Sequence, residues 1–368
     1  MARLARVVPG KDRGYRRMRS GSGFRYVDQD NVPVAGADRE RIRDLVIPPA
    51  WTDVWIAADP LAHIQAVGTD EAGRRQYLYH PLWRAGRDRR KFARALDLAA
   101  ALPHARARVT RGLRSEGLTR ERVLAAAFRL LDDAALRVGS ERYLVRHGSR
   151  GLTTLHRRDV RIDGDEVALS FPAKSGRRAE IEITDAGLAE TLSELAVGSP
   201  RAPLLAYRRG RRRVKITPAE VNDYLREVTG GVFTAKDFRT LHGTILAADA
   251  LARIGPLDTQ AERDRAERLA VQATASALGN TTAVARGSYI DPRVFRQYAR
   301  GRTLELDVAP ETAIRRLLRG GITGERRPAR PGGRSRRDDS RERRREARTI
   351  RKARPRGGRR RGRARESV

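Results

Sequence analysis

The chain changes its sequence character once, and this change constrains the fold more than any other feature. Between residues 20 and 83 it consists of short runs of β-type residues separated by turn residues. From about Lys91 onward it is rich in Ala, Leu and Arg, with apolar residues at helical spacing. We therefore predict an α+β fold, in which a small antiparallel β domain precedes a mainly helical domain.

Four strand-like runs define the first domain, at residues 23–27, 54–57, 63–68 and 75–80. The composition then shifts between Arg84 and Arg90. We place a basic N-terminal extension at residues 1–19, the β-rich domain at residues 20–86 and the helical domain at residues 87–324.

A β insert interrupts the helical domain between residues 158 and 184. Its first two strands flank Asp163-Gly164-Asp165, a hairpin turn in which glycine tolerates a positive φ. A second turn follows at residues 172–177, and an alternating strand comes after it. We predict a three-stranded sheet whose second hairpin carries Lys174 at its tip.

Helix signals are clearest where the chain resumes its helical character. Thr217-Pro218-Ala219-Glu220 combines an N-cap threonine, a proline at the first helical position and a glutamate that closes a capping box. This pattern predicts a helix from there to about Val228. Apolar spacing predicts further helices at residues 119–136, 236–254 and 259–278.

The charge of the chain indicates its partner. The formal net charge is +33, and residues 325–368 hold 20 Lys or Arg against six Asp or Glu. Almost no apolar residue interrupts that segment, so we predict a disordered basic tail that binds phosphates. The remaining residues 1–324 still carry +19, which favours a nucleic-acid partner for the folded part as well.

Several classes of chemistry are excluded by missing residues. The chain has no cysteine, so disulfides, thiolate nucleophiles and cysteine metal sites are ruled out. It has no GxxxxGK[ST] phosphate loop and no histidine pair at the spacing of a metal-binding helix. We expect no cofactor and no metal. No apolar stretch is long enough to cross a membrane, and we expect a cytoplasmic, nucleoid-associated protein.

Five short basic or polar segments follow one another in the helical part, at residues 137–143, 174–176, 236–240, 279–281 and 287–292. They hold, in order, Arg137, Lys174, Arg239, Asn280 and Tyr289, separated by 37, 65, 41 and 9 residues. In this order and spacing the chain resembles the type IB DNA topoisomerases, especially the small bacterial and poxvirus enzymes. The resemblance spans about residues 20–300 and includes residues 47–52 and 73–80 of the β-rich part.

The resemblance implies a fold and a reaction. These enzymes share their catalytic fold with the tyrosine recombinases, and they cut one strand of duplex DNA through a 3′-phosphotyrosyl intermediate. It implies that Tyr289 is the nucleophile and that Arg137, Lys174, Arg239 and Asn280 complete the catalytic set. The poxvirus enzymes have histidine at the place of Asn280, and asparagine can donate a hydrogen bond but cannot carry a proton.

The physical chemistry of the residues agrees with these roles. A phenol has a pKa of about 10, so a cationic pocket is needed to favour its ionised form. Arg137 and Arg239 can each clamp phosphate oxygens through a fixed fork of donors. Lys174 is our candidate general acid for the leaving 5′ oxygen. Lys236 is a candidate auxiliary cation.

Three residues of the β-rich part are candidate DNA contacts by the same resemblance: Gln76, Tyr77 and Tyr79. Alternation along a strand puts Tyr77 and Tyr79 on one face and Gln76 on the other. The alternative is that these side chains pack in the core of the sheet and do not contact DNA.

Each candidate also has an ordinary explanation when it is taken singly. An arginine after an amphipathic helix usually covers apolar surface with its stem, a lysine at a turn is usually solvated, and a tyrosine beside Ile290 is usually in the core. The ordered set of five favours catalysis.

We therefore predict a monomeric type IB DNA topoisomerase that closes two lobes around double-stranded DNA and relaxes supercoils without ATP. A tyrosine recombinase is one alternative, although Lys236 stands where those enzymes favour histidine. A non-catalytic, basic DNA-compacting protein is the other, and it would leave the linking number of DNA unchanged.

Overall fold

A computed structural model describes residues 3–319, apart from the side chain of Ser175. The predicted basic tail at residues 325–368 lies outside the described residues, as do the last five residues of the predicted helical domain.

The N-terminal part is built on a five-stranded antiparallel sheet with the strand order β2-β1-β3-β4-β5. Its strands are β1 (Gly14–Ser20), β2 (Gly23–Val27), β3 (Thr52–Ala57), β4 (Ile64–Thr69) and β5 (Arg75–Tyr79). One short helix, α1 (Gly36–Asp44), connects β2 to β3. Ile42 of α1 packs with Ile47 and with Val54, Ile56 and Ala66 of the sheet to form a small core of its own.

Strand β1 and helix α1 were not predicted from the sequence. Most of β1 lies within the segment that we assigned to the basic extension, and its Arg16-Arg17-Met18-Arg19 run shows no alternation of polar and apolar residues. The strand forms because it pairs with neighbours on both sides, with β2 and with β3. Arg17 also donates to the carbonyl oxygens of Pro48, at 3.0 Å, and Trp51, so its charge is directed to the loop before β3.

The second part is mainly helical and has a larger core of its own. Its helices are α2 (Pro81–Leu113), α3 (Arg120–Ala134), α4 (Glu141–His147), α5 (Ala186–Ala196), α6 (Pro218–Thr229), α7 (Ala235–Ile254), α8 (Gln260–Ala277), α9 (Thr282–Ser288), α10 (Arg293–Tyr298) and α11 (Pro310–Arg319). Helices α2, α3 and α7 are at the centre, where Phe128 of α3 meets Phe238 of α7 edge to face, with ring centroids 5.4 Å apart. The α+β architecture is the predicted one.

Helix α2 begins at Pro81 and runs through the domain boundary that we placed at residues 86 and 87. That boundary stays a prediction.

The predicted three-stranded insert is present and antiparallel, with β6 (Val160–Asp163), β7 (Glu166–Pro172) and β8 (Arg178–Thr184) in that order. Lys174 lies in the short 3-10 turn, Lys174–Gly176, that joins β7 to β8. A separate hairpin of β9 (Ala206–Arg209) and β10 (Arg212–Lys215) was not predicted, because two of the four residues in each strand are arginines.

Two ion pairs fix helices α7 and α3 to α2. Helix α7 begins near the predicted site, and helix α3 ends near it. Asp237, in the first turn of α7, accepts hydrogen bonds from Thr234 and lies 2.7 Å from Arg94 of α2. Asp132, near the end of α3, lies 2.7 Å from Arg106 of α2. Both carboxylates are fully buried, so each ties the end of one helix to the long helix α2.

The capping box at Thr217 is confirmed: its hydroxyl accepts from the Glu220 amide at 3.2 Å, and the Glu220 carboxylate accepts from the Thr217 amide at 3.0 Å. We expect Thr217→Ala to lower the free energy of unfolding by about 0.5–2 kcal/mol, the usual cost of losing such a cap. Chemical denaturation measures this change. Thr217→Ser is the matched control because it keeps the hydroxyl, and equal losses in both variants would contradict the assignment.

Candidate active site

Four of the five predicted catalytic residues line one open pocket with a volume of about 470 Å³. They are Arg137, Lys174, Arg239 and Tyr289, and Lys236 lines the same pocket. They come from the segment after α3, the β7–β8 turn, helix α7 and the end of α9. Segments up to 152 residues apart in sequence therefore converge on one cavity.

The segment that carries Arg137 is held by backbone contacts with residues 151–154. Leu152 donates its amide to the carbonyl of Arg137 at 2.9 Å, and Thr153 donates to the carbonyl of Val138 at 2.9 Å. Gly151 and Gly139 lie so close that a Cβ on Gly151 would be 2.6 Å from the Arg137 oxygen and 2.8 Å from the Gly139 Cα. Glycine is required here because the two backbones cross at contact distance.

Arg239 is almost fully buried, and its guanidinium is directed by two helix ends. It donates to the carbonyl of Ala135, the C-cap of α3, at 2.6 Å and to the carbonyl of Leu278, the C-cap of α8, at 2.7 Å. The C-terminal end of a helix carries partial negative charge, which holds a cation without neutralising it. Its Nε is buried and has no hydrogen-bond partner among the described residues.

Asn280 joins the pocket residues through Arg137. Its side-chain oxygen accepts a hydrogen bond from Arg137 at 2.6 Å, and the same guanidinium nitrogen donates to the carbonyl of Gly279 at 3.0 Å. The amide oxygen of Asn280 already accepts a hydrogen bond, and its Nδ2 is the group that can donate one. That nitrogen is buried and has no partner among the described residues, as a group that donates to a bound anion would be.

Tyr289 is placed by a glycine and a threonine of helix α7. A Cβ on Gly243 would lie 2.9 Å from both the Cβ and the carbonyl oxygen of Tyr289, so only glycine admits this approach. The Thr244 hydroxyl lies 3.1 Å from the Tyr289 carbonyl and accepts from the Asp291 amide at 3.2 Å. The backbone on both sides of the phenol is therefore fixed to α7.

The surroundings of the Tyr289 phenol favour its ionised form relative to a free tyrosine. Burial raises its pKa, but the positive charges of Arg239, Arg137 and Lys236 lower it by more, so the pKa of Tyr289 lies below its ordinary value of 10.0. The Arg239 guanidinium carbon is 5.1 Å from the centre of the Tyr289 ring. The same crowding acts on Arg137, where burial and the charge of Arg239 lower the pKa of the guanidinium.

The two lysines differ from the arginines because both are exposed at the mouth of the pocket. Lys174 lies on the hairpin turn, as predicted, and Lys236 is in the first turn of α7. Neither has a carboxylate partner among the described residues.

The three residues predicted to contact DNA from the N-terminal sheet, Gln76, Tyr77 and Tyr79, lie on β5. Tyr77 and Tyr79 are on the same face, as predicted, and their rings stack with centroids 5.9 Å apart. Gln76 donates to Asp70 at 2.8 Å, which occupies part of its amide. The intervening Leu78 packs on the small core, so both tyrosines point away from it. None of the three lines the catalytic pocket.

Sequence reasoning missed Arg150 and Tyr143, which also line the pocket. Arg150 is 2.7 Å from the buried Asp159, and the pair is nearly solvent-free. Tyr143 is in the segment that the resemblance singled out, but it was not assigned a role. Gly243 and Thr244 were also missed, because a helical glycine and threonine look ordinary until their contact with Tyr289 is known.

Neither a metal cluster nor a membrane segment is found in the described part of the chain. Residues 3–319 contain no group of three or more His, Asp or Glu arranged to hold a metal ion. No helix in that range is both long and apolar enough to cross a membrane.

Comparison with known proteins places this architecture in a class of enzymes. Residues 81–302 match the family model described as the catalytic core of eukaryotic DNA topoisomerase I. Residues 23–70 match the model described as the N-terminal domain of bacterial DNA topoisomerase IB. The DNA topoisomerase 1B of Acanthamoeba polyphaga mimivirus is 32% identical over 286 residues, which is 75% of this chain and 85% of that protein.

The chain therefore belongs to the type IB DNA topoisomerase family, a family of isomerases whose substrate is DNA. This confirms the predicted family, fold and enzyme class.

The approach of Gly243 to Tyr289 can be tested directly. We expect Gly243→Ala to slow DNA relaxation by about 10²-fold, because a displaced reactive group loses its alignment. Alanine favours a helix over glycine by about 1 kcal/mol, so a loss of helix propensity cannot be the cause. Relaxation of supercoiled plasmid, with DNA affinity measured in parallel, checks this.

The matched control is Gly187→Ala in helix α5. A Cβ there meets no atom closer than 3.6 Å, so relaxation should be unchanged. Normal activity of Gly243→Ala, or an equal loss in both variants, would contradict a positioning role for Gly243.

Proposed function

We propose that this chain relaxes supercoiled DNA by reversible cleavage of one strand, with Tyr289 as the nucleophile. The observation that carries the proposal is the position of the Tyr289 phenol, with its lowered pKa, in one pocket with Arg137 and Arg239. A phenol that must attack a phosphodiester needs this environment, because the same cations that favour its ionised form also attract the phosphate.

The first step is transesterification. The Tyr289 oxygen attacks phosphorus and the bond from phosphorus to the 5′ oxygen breaks. The phosphate is then bonded to Tyr289 and remains bonded to the 3′ oxygen of the cleaved strand. The phenol proton passes to solvent and the 5′ oxygen receives a proton as it leaves. The free end then rotates about the intact strand, and the 5′ hydroxyl attacks the phosphotyrosine to restore the DNA.

Stabilisation of the transition state falls to Arg137, Arg239 and Asn280. The two guanidinium groups offset the extra negative charge on the phosphate oxygens, and they act at short range in a partly buried site. The free Nδ2 donor of Asn280 supplies a neutral hydrogen bond to the same oxygens. Asparagine has no titratable proton, so its role in this mechanism is limited to donation.

Lys174 is the proposed general acid, with Lys236 as an auxiliary cation. Lys174 is exposed on a turn at the pocket mouth, where its ammonium can reach the leaving oxygen of a bound strand. Lys236 contributes to the lower pKa of Tyr289. In this mechanism Arg137 and Arg239 bind the phosphate oxygens, and Lys174 transfers a proton.

The proposed cycle consumes no ATP because the energy of the broken bond is kept in the phosphotyrosine. The cations of the chain itself supply the charge that the transition state requires, so no metal is needed in this mechanism. One chain holds the complete set of proposed catalytic residues, which supports action as a monomer. Gln76, Tyr77 and Tyr79 would contact the same duplex from the N-terminal sheet, and a DNA substrate supports the predicted association with the nucleoid.

The nucleophile is tested with supercoiled plasmid in EDTA without ATP. We expect the wild-type protein to relax the plasmid and Tyr289→Phe to bind the DNA but not to relax it, because only the hydroxyl is removed. Denaturation of a wild-type reaction should trap protein on a 3′ end. Equal relaxation by both proteins would show that Tyr289 is not the nucleophile, and binding without relaxation by both would favour the DNA-compacting alternative.

The general acid is tested with a substrate whose bridging 5′ oxygen is replaced by sulfur. We expect Lys174→Ala to slow single-turnover cleavage of ordinary DNA by about 10²–10⁴-fold, the usual contribution of such catalysis. A thiolate leaves without a proton, so cleavage of the sulfur substrate should return close to the wild-type rate. Arg137→Ala is the control that sulfur should not rescue, and an equal defect of Lys174→Ala on both substrates would exclude proton donation by Lys174.

A further inference from the structure

The segment before the N-terminal sheet follows a fixed course along the protein. The amide of Ala5 donates to the carbonyl of Leu61 at 3.0 Å, and the amide of His63 donates to the carbonyl of Ala5 at 2.8 Å. The amide of Val7 donates to Nδ1 of His63 at 3.2 Å. Both family models begin later in the chain, at residues 23 and 81, so neither covers this segment.

This attachment places the exposed side chain of Arg6 at one particular surface. Its guanidinium carbon lies 5.6 Å from the centre of the Trp83 ring, and Trp83 in turn packs edge to face on His63, with ring centroids 4.7 Å apart. An aromatic face attracts a cation, so the guanidinium is partly ordered before any ligand arrives. Such ordering reduces the entropy that binding would cost.

Arg6 lines a groove of about 730 Å³ between the N-terminal sheet and helix α2. Two basic residues of the groove are neutralised, Lys91 by Asp88 at 2.9 Å and Arg94 by Asp237 at 2.7 Å. Of the described residues that line the groove, these cations have no carboxylate partner: Arg6, Arg84, Arg87, Arg90 and Lys236. The groove therefore carries a net positive charge.

The basic residues of α2 form a stripe along one side of the groove. Residues 84, 87, 91 and 94 are three or four positions apart, which places them on one face of the helix. At about 1.5 Å per residue the stripe is roughly 15 Å long. Lys91 and Arg94 are paired with carboxylates, so Arg84 and Arg87 are the members of this stripe that present free charge to the groove.

The groove adjoins the catalytic pocket. Lys236 lines both, and the groove also includes Gly287 and Ser288, which directly precede Tyr289. On its other side it includes Tyr79, whose ring lies 5.4 Å from the Arg87 guanidinium carbon. A duplex with its scissile phosphate at Tyr289 would therefore pass directly into the groove.

We propose that Arg6 of the N-terminal segment contacts a backbone phosphate of the substrate duplex, in this groove, beyond the cleaved phosphate. The inference rests on the proposed function, since it takes the same duplex to lie at Tyr289. It assigns a specific role to a segment that precedes the N-terminal domain: the backbone bonds of Ala5 and Val7 hold a cation where the DNA leaves the active site.

The test measures equilibrium binding of duplex DNA at several salt concentrations in full-length Tyr289→Phe protein, so that cleavage does not contribute. Loss of one phosphate contact lowers the slope of log affinity against log salt by about 0.9. We expect Arg6→Ala to show this reduction and a several-fold weaker Kd at moderate salt. A second variant, Ala5→Pro, retains every charge but loses the amide bond to Leu61, and it should weaken binding in the same direction.

Arg3→Ala is the matched control, because it removes the same charge from the same segment at an exposed position that does not line the groove. Its salt slope should equal that of the parent. The proposal is overturned if Arg6→Ala keeps the parental slope, if Arg3→Ala loses as much, or if Ala5→Pro binds normally. Failure of the wild-type protein to relax plasmid would instead refute the proposed function. The salt dependence of DNA binding would still show whether Arg6 contacts a phosphate.

Discussion

The site depends on one physical constraint: several like charges are held around a single phenol without being neutralised. Arg239 and Arg137 donate to the carbonyl oxygens of Ala135, Leu278 and Gly279, at the ends of helices α3 and α8. Carbonyl groups fix the direction of a guanidinium but leave its charge in place. A carboxylate partner would fix it as well, and would cancel the charge that the proposed reaction requires.

The remaining architecture can be understood as support for this arrangement. Elsewhere in the helical part, arginines pair with buried carboxylates, as Arg106 does with Asp132 and Arg94 with Asp237. Those pairs fix α3 and α7 to α2, and the ends of α3 and α7 in turn present Arg137, Lys236 and Arg239. Ion pairs therefore set the positions of the helices, whereas carbonyl oxygens at helix ends direct Arg137 and Arg239 within the pocket.

The basic residues along α2 are also divided into those paired with acids and those without an acidic partner. Along α2, Lys91 and Arg94 are paired with acids, while Arg84 and Arg87 are not, so one helix serves both as a structural support and as a cationic wall. The stacked Tyr77 and Tyr79 and the bound N-terminal segment face the same region from the sheet side. A duplex in the catalytic pocket would thus meet positive charge on leaving it as well as at the scissile phosphate.

The amino-acid sequence alone determined the family, the α+β class, the capping box at Thr217 and the hairpin position of Lys174, because each depends on local order and spacing. It did not predict strand β1, whose arginines show no alternation and which forms by pairing with neighbours on both sides. Nor could it show that Arg239 points at two helix ends, or that Gly243 of α7 must lack a side chain. Those features are contacts between segments that are distant in sequence, and only the tertiary structure brings Tyr289 against Gly243 and Arg6 beside Trp83.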